Sequence, residues 1–129
     1  MKLTLLPLEN DEVIRVRCDG PVTLRQADGQ TDPLQILLGP HCYTHKVLLN
    51  LERSPTIDTS GICWLVRSQA RFNQSRGAFV LYSVPPTVTD MLDFLNIRAE
   101  LRIAETEPQA RTMVLATADR QATGNGHSI

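Results

Sequence analysis

The chain has 129 residues, 42% apolar and 21% charged, and its 13 Lys and Arg against 14 Asp and Glu leave a formal charge of −1. This fits one globular domain with a single core and supplies no electrostatic footprint for nucleic acid or an anionic membrane. One Trp, two Tyr and three Phe are too few for a base-stacking platform, and three cysteines (Cys18, Cys42, Cys63) give no disulfide framework.

The N-terminus, "MKLTLLPLENDEV", has a short apolar patch followed at once by acids, which encodes neither a signal peptide nor a membrane span. With reduced thiols, this points to a cytoplasmic protein. Alternation at Ile14, Val16 and Cys18, and again at Val22 and Leu24, predicts two half-buried strands around an Asp19-Gly20-Pro21 turn. Residues 25–31 read as a polar loop. Asp32-Pro33 is an N-cap followed by a first helical residue, and Gly39-Pro40 is a stop, so a short helix is expected over 33–38. Val47-Leu48-Leu49 suits a strand covered on both faces.

The period then changes. Ile62, Leu65, Val66 and Phe72 recur at helical spacing, with Ser60 as a competent N-cap and Gly77 as a C-cap candidate. Residues 78–84 form a second buried strand. Pro85-Pro86 opens a helix whose apolar stripe is Val88, Met91, Leu92 and Leu95. A short strand follows at 101–104 and a last helix at 107–118, with Ala110, Met113 and Val114 on one side. From Thr117 the apolar periodicity ends, so one domain over 1–116 and a flexible tail over 117–129 are expected. The alternation of strands and helices defines an α/β fold with right-handed crossovers.

Chemistry concentrates in "SPTIDTSGICWLV", residues 54–66, where Asp58-Thr59-Ser60-Gly61 sits between a strand and a helix. An aspartic-protease turn does not fit, because Ser60 separates Thr59 from Gly61 and a helix follows. A nucleophile elbow needs glycine where Asp58 stands, and no base accompanies Ser60, since His127 lies in the tail. Phosphate-binding glycine loops are absent. His41, Cys42 and His45 form a loop cluster without a partner pair of ligands, and neither a metal nor a cofactor is expected. "ENDE" at 9–12 is a solvated turn. Arg67 and Arg71 lie on one helix face with Arg76 beyond them, either an exposed basic face or a surface for an acidic partner. Two readings of the motif stay open: a helix cap, or a hydroxyl at a helix N-terminus that another enzyme phosphorylates, adding a charge of roughly −1.5 to −2.

The segment "VLLNLERSPTIDTSGICWLVRSQARFNQSRGAFVLYSVPPTVTDMLDFLNI" resembles the core of a STAS domain, the module of bacterial anti-sigma factor antagonists. The pattern is a buried strand (Val47–Leu51), Ile57-Asp58-Thr59-Ser60-Gly61, a helix toward Gly77, a buried strand (Phe79–Val84) and a helix over Val88–Ile97. The resemblance is good over about 45–110 and holds for the N-terminal strands by order only. It implies a mixed sheet of four to five strands covered by about four helices. It also implies a non-enzymatic antagonist, monomeric or weakly dimeric, whose partners are an anti-sigma factor/serine kinase and a PP2C-type phosphatase. Ser60 is the implied phosphorylation site, with Thr59 as the alternative. Asp58, Thr59, Ser60, Gly61 and Trp64 are the implied partner contacts, Gly61 by admitting the kinase backbone. A STAS scaffold or ligand-sensing subunit, with the hydroxyls as a cap only, is the alternative role. Three departures from the pattern are Asn50 in place of an acid at the strand end, Thr59 in place of serine, and the bulky Cys63-Trp64 pair.

Overall fold

A computed structural model describes residues 1–7, 13–24 and 32–116. The 9–12 turn, the 25–31 loop and the 117–129 tail of the sequence reading lie outside the described residues. Five strands, β1 (Lys2–Leu5), β2 (Val13–Asp19), β3 (Lys46–Arg53), β4 (Ala78–Tyr82) and β5 (Ile103–Ala104), lie side by side in chain order. The β1–β2 pair is antiparallel and the other three pairs are parallel. Helices α1 (Pro33–Leu38), α2 (Thr59–Gln74) and α3 (Pro86–Phe94) occupy the crossovers, and α4 (107–116) follows β5.

Sequential order decides where the helices go. Each parallel crossover steps in the same direction, and right-handed connections then place their helices on the same face. The main core accordingly combines Val16, Val47, Leu49, Leu51, Phe79 and Leu81 of the sheet with Leu34 of α1, Trp64, Leu65 and Phe72 of α2, and Val88 and Leu92 of α3. The opposite face is left to α4, where Ala110 and Val114 pack with Leu48, Val80 and Tyr82. Leu48 and Leu49 thus serve opposite cores, which explains the continuous apolar run of β3. A polar tie fixes α4 to the sheet: Glu107 accepts from Arg15 at 3.2 Å and from the Tyr82 hydroxyl at 3.1 Å. Burial and donation to Glu107 push the Tyr82 phenol up to about 12. Burial also pushes Glu107 upward, but Arg15, Tyr82 and Arg111 outweigh it and hold the carboxyl below its ordinary range.

Four sequence expectations change. The antiparallel partner of β2 is β1, upstream, with Leu3 opposite Cys18. The predicted hairpin strand around Val22 and Leu24 is instead a single parallel bridge from Val22 to Ile57. Pro21 has no N–H for a ladder, and Gly20, at φ 89°, turns the chain across the end of β3, donating to the Arg53 carbonyl at 3.0 Å. The N-cap of α2 is Asp58, not Ser60. At the other end of α2 the C-cap is Ser75 and the left-handed residue is Arg76 (φ 65°). Gly77 is needed because a Cβ there would lie 2.1 Å from the Tyr43 carbonyl oxygen. On α3 only Val88 and Leu92 of the stripe are buried, while Met91 (40%), Leu95 (43%) and Phe94 (81%) face solvent.

Candidate functional site

The apolar and polar halves of the motif have different jobs. Ile57 and Ile62 belong to the core and anchor the turn between β3 and α2. Between them Asp58 holds extended backbone, and its Oδ1 accepts from the Gly61 N–H at 2.9 Å, satisfying one of the orphan donors of the first helical turn. A carboxylate at this end also meets the positive pole of α2.

The cap has capacity left over. The Ser60 hydroxyl donates to Asp58 Oδ1 at 2.6 Å and accepts the Leu24 N–H at 2.8 Å. The Thr23 hydroxyl donates to Asp58 Oδ2 at 2.5 Å and stands 3.4 Å from Ser60 Oγ. Four groups from two segments therefore converge on one carboxylate and one serine. Asp58 and Ser60 are half-buried, and Thr59 is exposed one residue before the serine.

Gly61 brings those segments together. A Cβ at Gly61 would stand 2.1 Å from the Val22 carbonyl oxygen, which accepts the Asp58 N–H at 3.2 Å. Its role in this structure is to seat the 22–24 segment on α2. Gly61 is buried there and offers no surface to a kinase backbone. Trp64 is likewise placed in the core. It is 2% exposed, and its indole donates to Asp32 Oδ1 at 2.9 Å. Of the five residues implied as partner contacts, Asp58, Thr59 and Ser60 reach the surface, while Gly61 and Trp64 are buried.

Sequence reasoning missed two sets of residues. Thr23 and the Leu24 amide were hidden inside a predicted strand. The second set surrounds Asp32, which caps α1 through Leu34 N at 2.9 Å. Its Oδ2 accepts from the Tyr43 hydroxyl and lies 3.5 Å from Arg71. Arg71 also donates to the Tyr43 hydroxyl at 2.9 Å and lies over its ring. Burial, then donation to Asp32, pushes the Tyr43 phenol up to about 12. The hydrogen bond to Tyr43 raises the Arg71 guanidinium pKa in turn. Arg71 therefore belongs to this network rather than to an open basic face, and Arg67 and Arg76 remain exposed.

The other candidates separate in space. Cys42 is buried, whereas His41 and His45 are exposed at the ends of a 3-10 turn, and among the described residues no three His, Cys, Asp or Glu side chains converge as a metal site. Burial pushes the Cys18 and Cys42 thiols up, and Cys63 is exposed. Asn50 turns its carboxamide oxygen to the Glu52 N–H at 2.7 Å. No helix among the described residues is long and apolar enough to cross a membrane.

Comparison with known proteins identifies the class. The STAS domain family model matches residues 7–110, and the chain belongs to that family. A search of curated protein sequences gave no match. Among solved structures, TM1081 of Thermotoga maritima, described as a candidate anti-sigma factor antagonist, superposes with a TM-score of 0.69 at 18% identity, covering 87% of this chain and 93% of that one. A sulfate transporter family protein from Wolinella succinogenes gives 0.65 at 21% identity, covering 90% and 93%. The anti-sigma factor antagonist SpoIIAA in its unphosphorylated form gives 0.56 at 16% identity, covering 88% and 97%. At these identities the likeness establishes the fold: a five-stranded mixed sheet with four helices.

Proposed function

We propose that this STAS protein is a cytoplasmic, non-enzymatic anti-sigma factor antagonist, built as one domain over 1–116 and switched by phosphorylation of Ser60. The carrying observation is the half-exposed Ser60 hydroxyl, held by Asp58 at the N-terminus of α2. The unmodified face, made by Asp58, Thr59 and Ser60, docks on an anti-sigma factor that is also a serine kinase. A phosphate on Ser60 adds charge beside the Asp58 carboxylate without disturbing the core, because the surrounding polar groups lie outside it. A partner that docks on the bare hydroxyl would then have to desolvate two adjacent anions, a cost that releases it. A PP2C-type phosphatase restores the bare serine. The likeness to anti-sigma factor antagonists supports this reading, as does the close approach of the Val22 carbonyl to Gly61, which seats the 22–24 segment against the serine.

Incubation with the anti-sigma serine kinases of the source organism and ATP is expected to add one phosphate by intact mass, and Ser60→Ala to abolish it. Equal labelling of Ser60→Ala would move the acceptor to Thr59 or elsewhere. Ser60→Asp is expected to weaken binding to the anti-sigma partner at least tenfold, about 1.4 kcal/mol, by titration calorimetry. The sulfate transporter likeness favours a second reading, a STAS scaffold or ligand-sensing subunit with the hydroxyls as a cap only. That role predicts unchanged affinity in Ser60→Asp.

A further inference from the structure

We propose that Thr23 is a positioning residue for phosphoryl transfer to Ser60, an inference that rests on the phosphorylation switch above. The 22–24 segment leaves the sheet but is not loose. Val22 donates to the Thr56 carbonyl at 2.9 Å and accepts from Asp58 N, on a path that only glycine at position 61 permits. This seats Thr23 and the Leu24 amide directly against the acceptor.

A serine hydroxyl has one proton and two lone pairs. Here the proton is directed to Asp58 Oδ1 at 2.6 Å, and one lone pair takes the Leu24 N–H at 2.8 Å. The second lone pair is left for a phosphorus atom. Thr23 spends its own proton on Asp58 Oδ2 at 2.5 Å, which holds the carboxylate so that Oδ1 stays on Ser60. In transfer, the remaining lone pair of Ser60 Oγ attacks the γ-phosphorus of the nucleoside triphosphate brought by the kinase. The new O–P bond forms as the bond from that phosphorus to the bridging oxygen breaks, and the nucleoside diphosphate leaves with the electron pair. The Ser60 proton passes to Asp58 Oδ1 and then to solvent. Thr59 is more exposed but has no such frame among the described residues, so the same device selects Ser60 over Thr59.

The test compares Thr23→Val, which removes the hydroxyl and keeps the shape, with Thr23→Ser, which keeps the hydroxyl. With serine kinase and ATP, Thr23→Val is expected to lower kcat for Ser60 labelling by about tenfold or more with KM unchanged, since misplaced reacting groups lose rate rather than affinity. Thr23→Ser is expected to recover the wild-type rate within about twofold. Peptide mass mapping should show a larger share of phosphate on Thr59 in the valine variant. A wild-type kcat in Thr23→Val overturns the proposal. So does a loss that Thr23→Ser fails to recover, because that marks a packing role. A wild-type chain that takes no phosphate on Ser60 overturns the switch itself, a different result from a labelled wild type that Thr23→Val matches.

Discussion

Two aspartates cap two helices, and the structure spends them differently. Asp32 and Asp58 each accept a backbone N–H in the first turn of the helix they precede, α1 and α2. Around Asp32 the remaining capacity goes to an indole, a phenol and a guanidinium, and the side chain is 6% exposed. Asp58 accepts from two hydroxyls on residues that lie half-buried at the surface. Identical capping chemistry therefore yields a rivet at one helix and a hydroxyl-lined surface turn at the other. The indole and phenol donors lie with the first carboxylate inside the protein, whereas the serine and threonine hydroxyls lie with the second on half-buried residues.

The contrast can be broken most forcefully at Asp32. Asp32→Ala leaves the Trp64 indole without its acceptor inside the core and removes the cap of α1. We expect a loss of about 3 kcal/mol by urea unfolding, scaled down from a fully buried pair because Arg71 is half-exposed and can turn to water. A loss as small as that of Asp58→Ala would erase the distinction.

The next effect falls at the hinge of the hydroxyl-lined turn. Gly61→Ala drives a methyl into the Val22 carbonyl, so either α2 or the 22–24 segment must shift, at a cost of roughly 2 kcal/mol. The informative readout is amide exchange. Leu24 N–H should lose protection while amides in the middle of α2 keep theirs. Protection that stays wild-type at Leu24 would mean the glycine does not seat the segment.

Asp58→Ala sharpens the comparison from the other side. It removes an N-cap and the acceptor of two exposed-side hydroxyls, and about 1 kcal/mol is expected in chemical denaturation. Asp58→Asn, which preserves the cap, should recover most of this.

The smallest effect is at alkaline pH. The Tyr43 phenol ionises near 10 in the unfolded chain and at about 12 when folded, so folding favours the protonated form. Stability from this group is complete below pH 10 and is lost as pH rises from 10 to about 12. Tyr82 follows the same window from the opposite face of the sheet. Tyr43→Phe should therefore flatten, and not abolish, the decline in thermal midpoint above pH 10.

Several elements could be read before any coordinates because local chemistry decides them. Asp32-Pro33 and Gly39 bracket α1 as the first-turn and stop signals require, and the Val47-Leu48-Leu49 run declares a strand covered twice. The Ile-Asp-Thr-Ser-Gly motif located the site and placed its hydroxyls at a helix mouth. The failures share one cause: they depend on contacts far apart in sequence. Alternation at 22–24 looks like a strand, yet the segment pairs with residue 57 rather than with β2. Ser60 looks like an N-cap, yet the carboxylate two residues earlier caps the helix through the Gly61 N–H. Trp64 looks like a docking residue until Asp32, 32 positions away, draws its indole inward.

Sequence by itself determined the α/β alternation, the strand–turn–helix carrying Ser60 and the resemblance to STAS domains, because capping, breaking and apolar period act over a few residues. Tertiary structure alone decided which side chains of that turn reach the surface, and that Thr23 and Leu24 hydrogen-bond with Asp58 and Ser60. It did so because one close approach, the Val22 carbonyl against Gly61, joins segments that the chain keeps nearly forty residues apart.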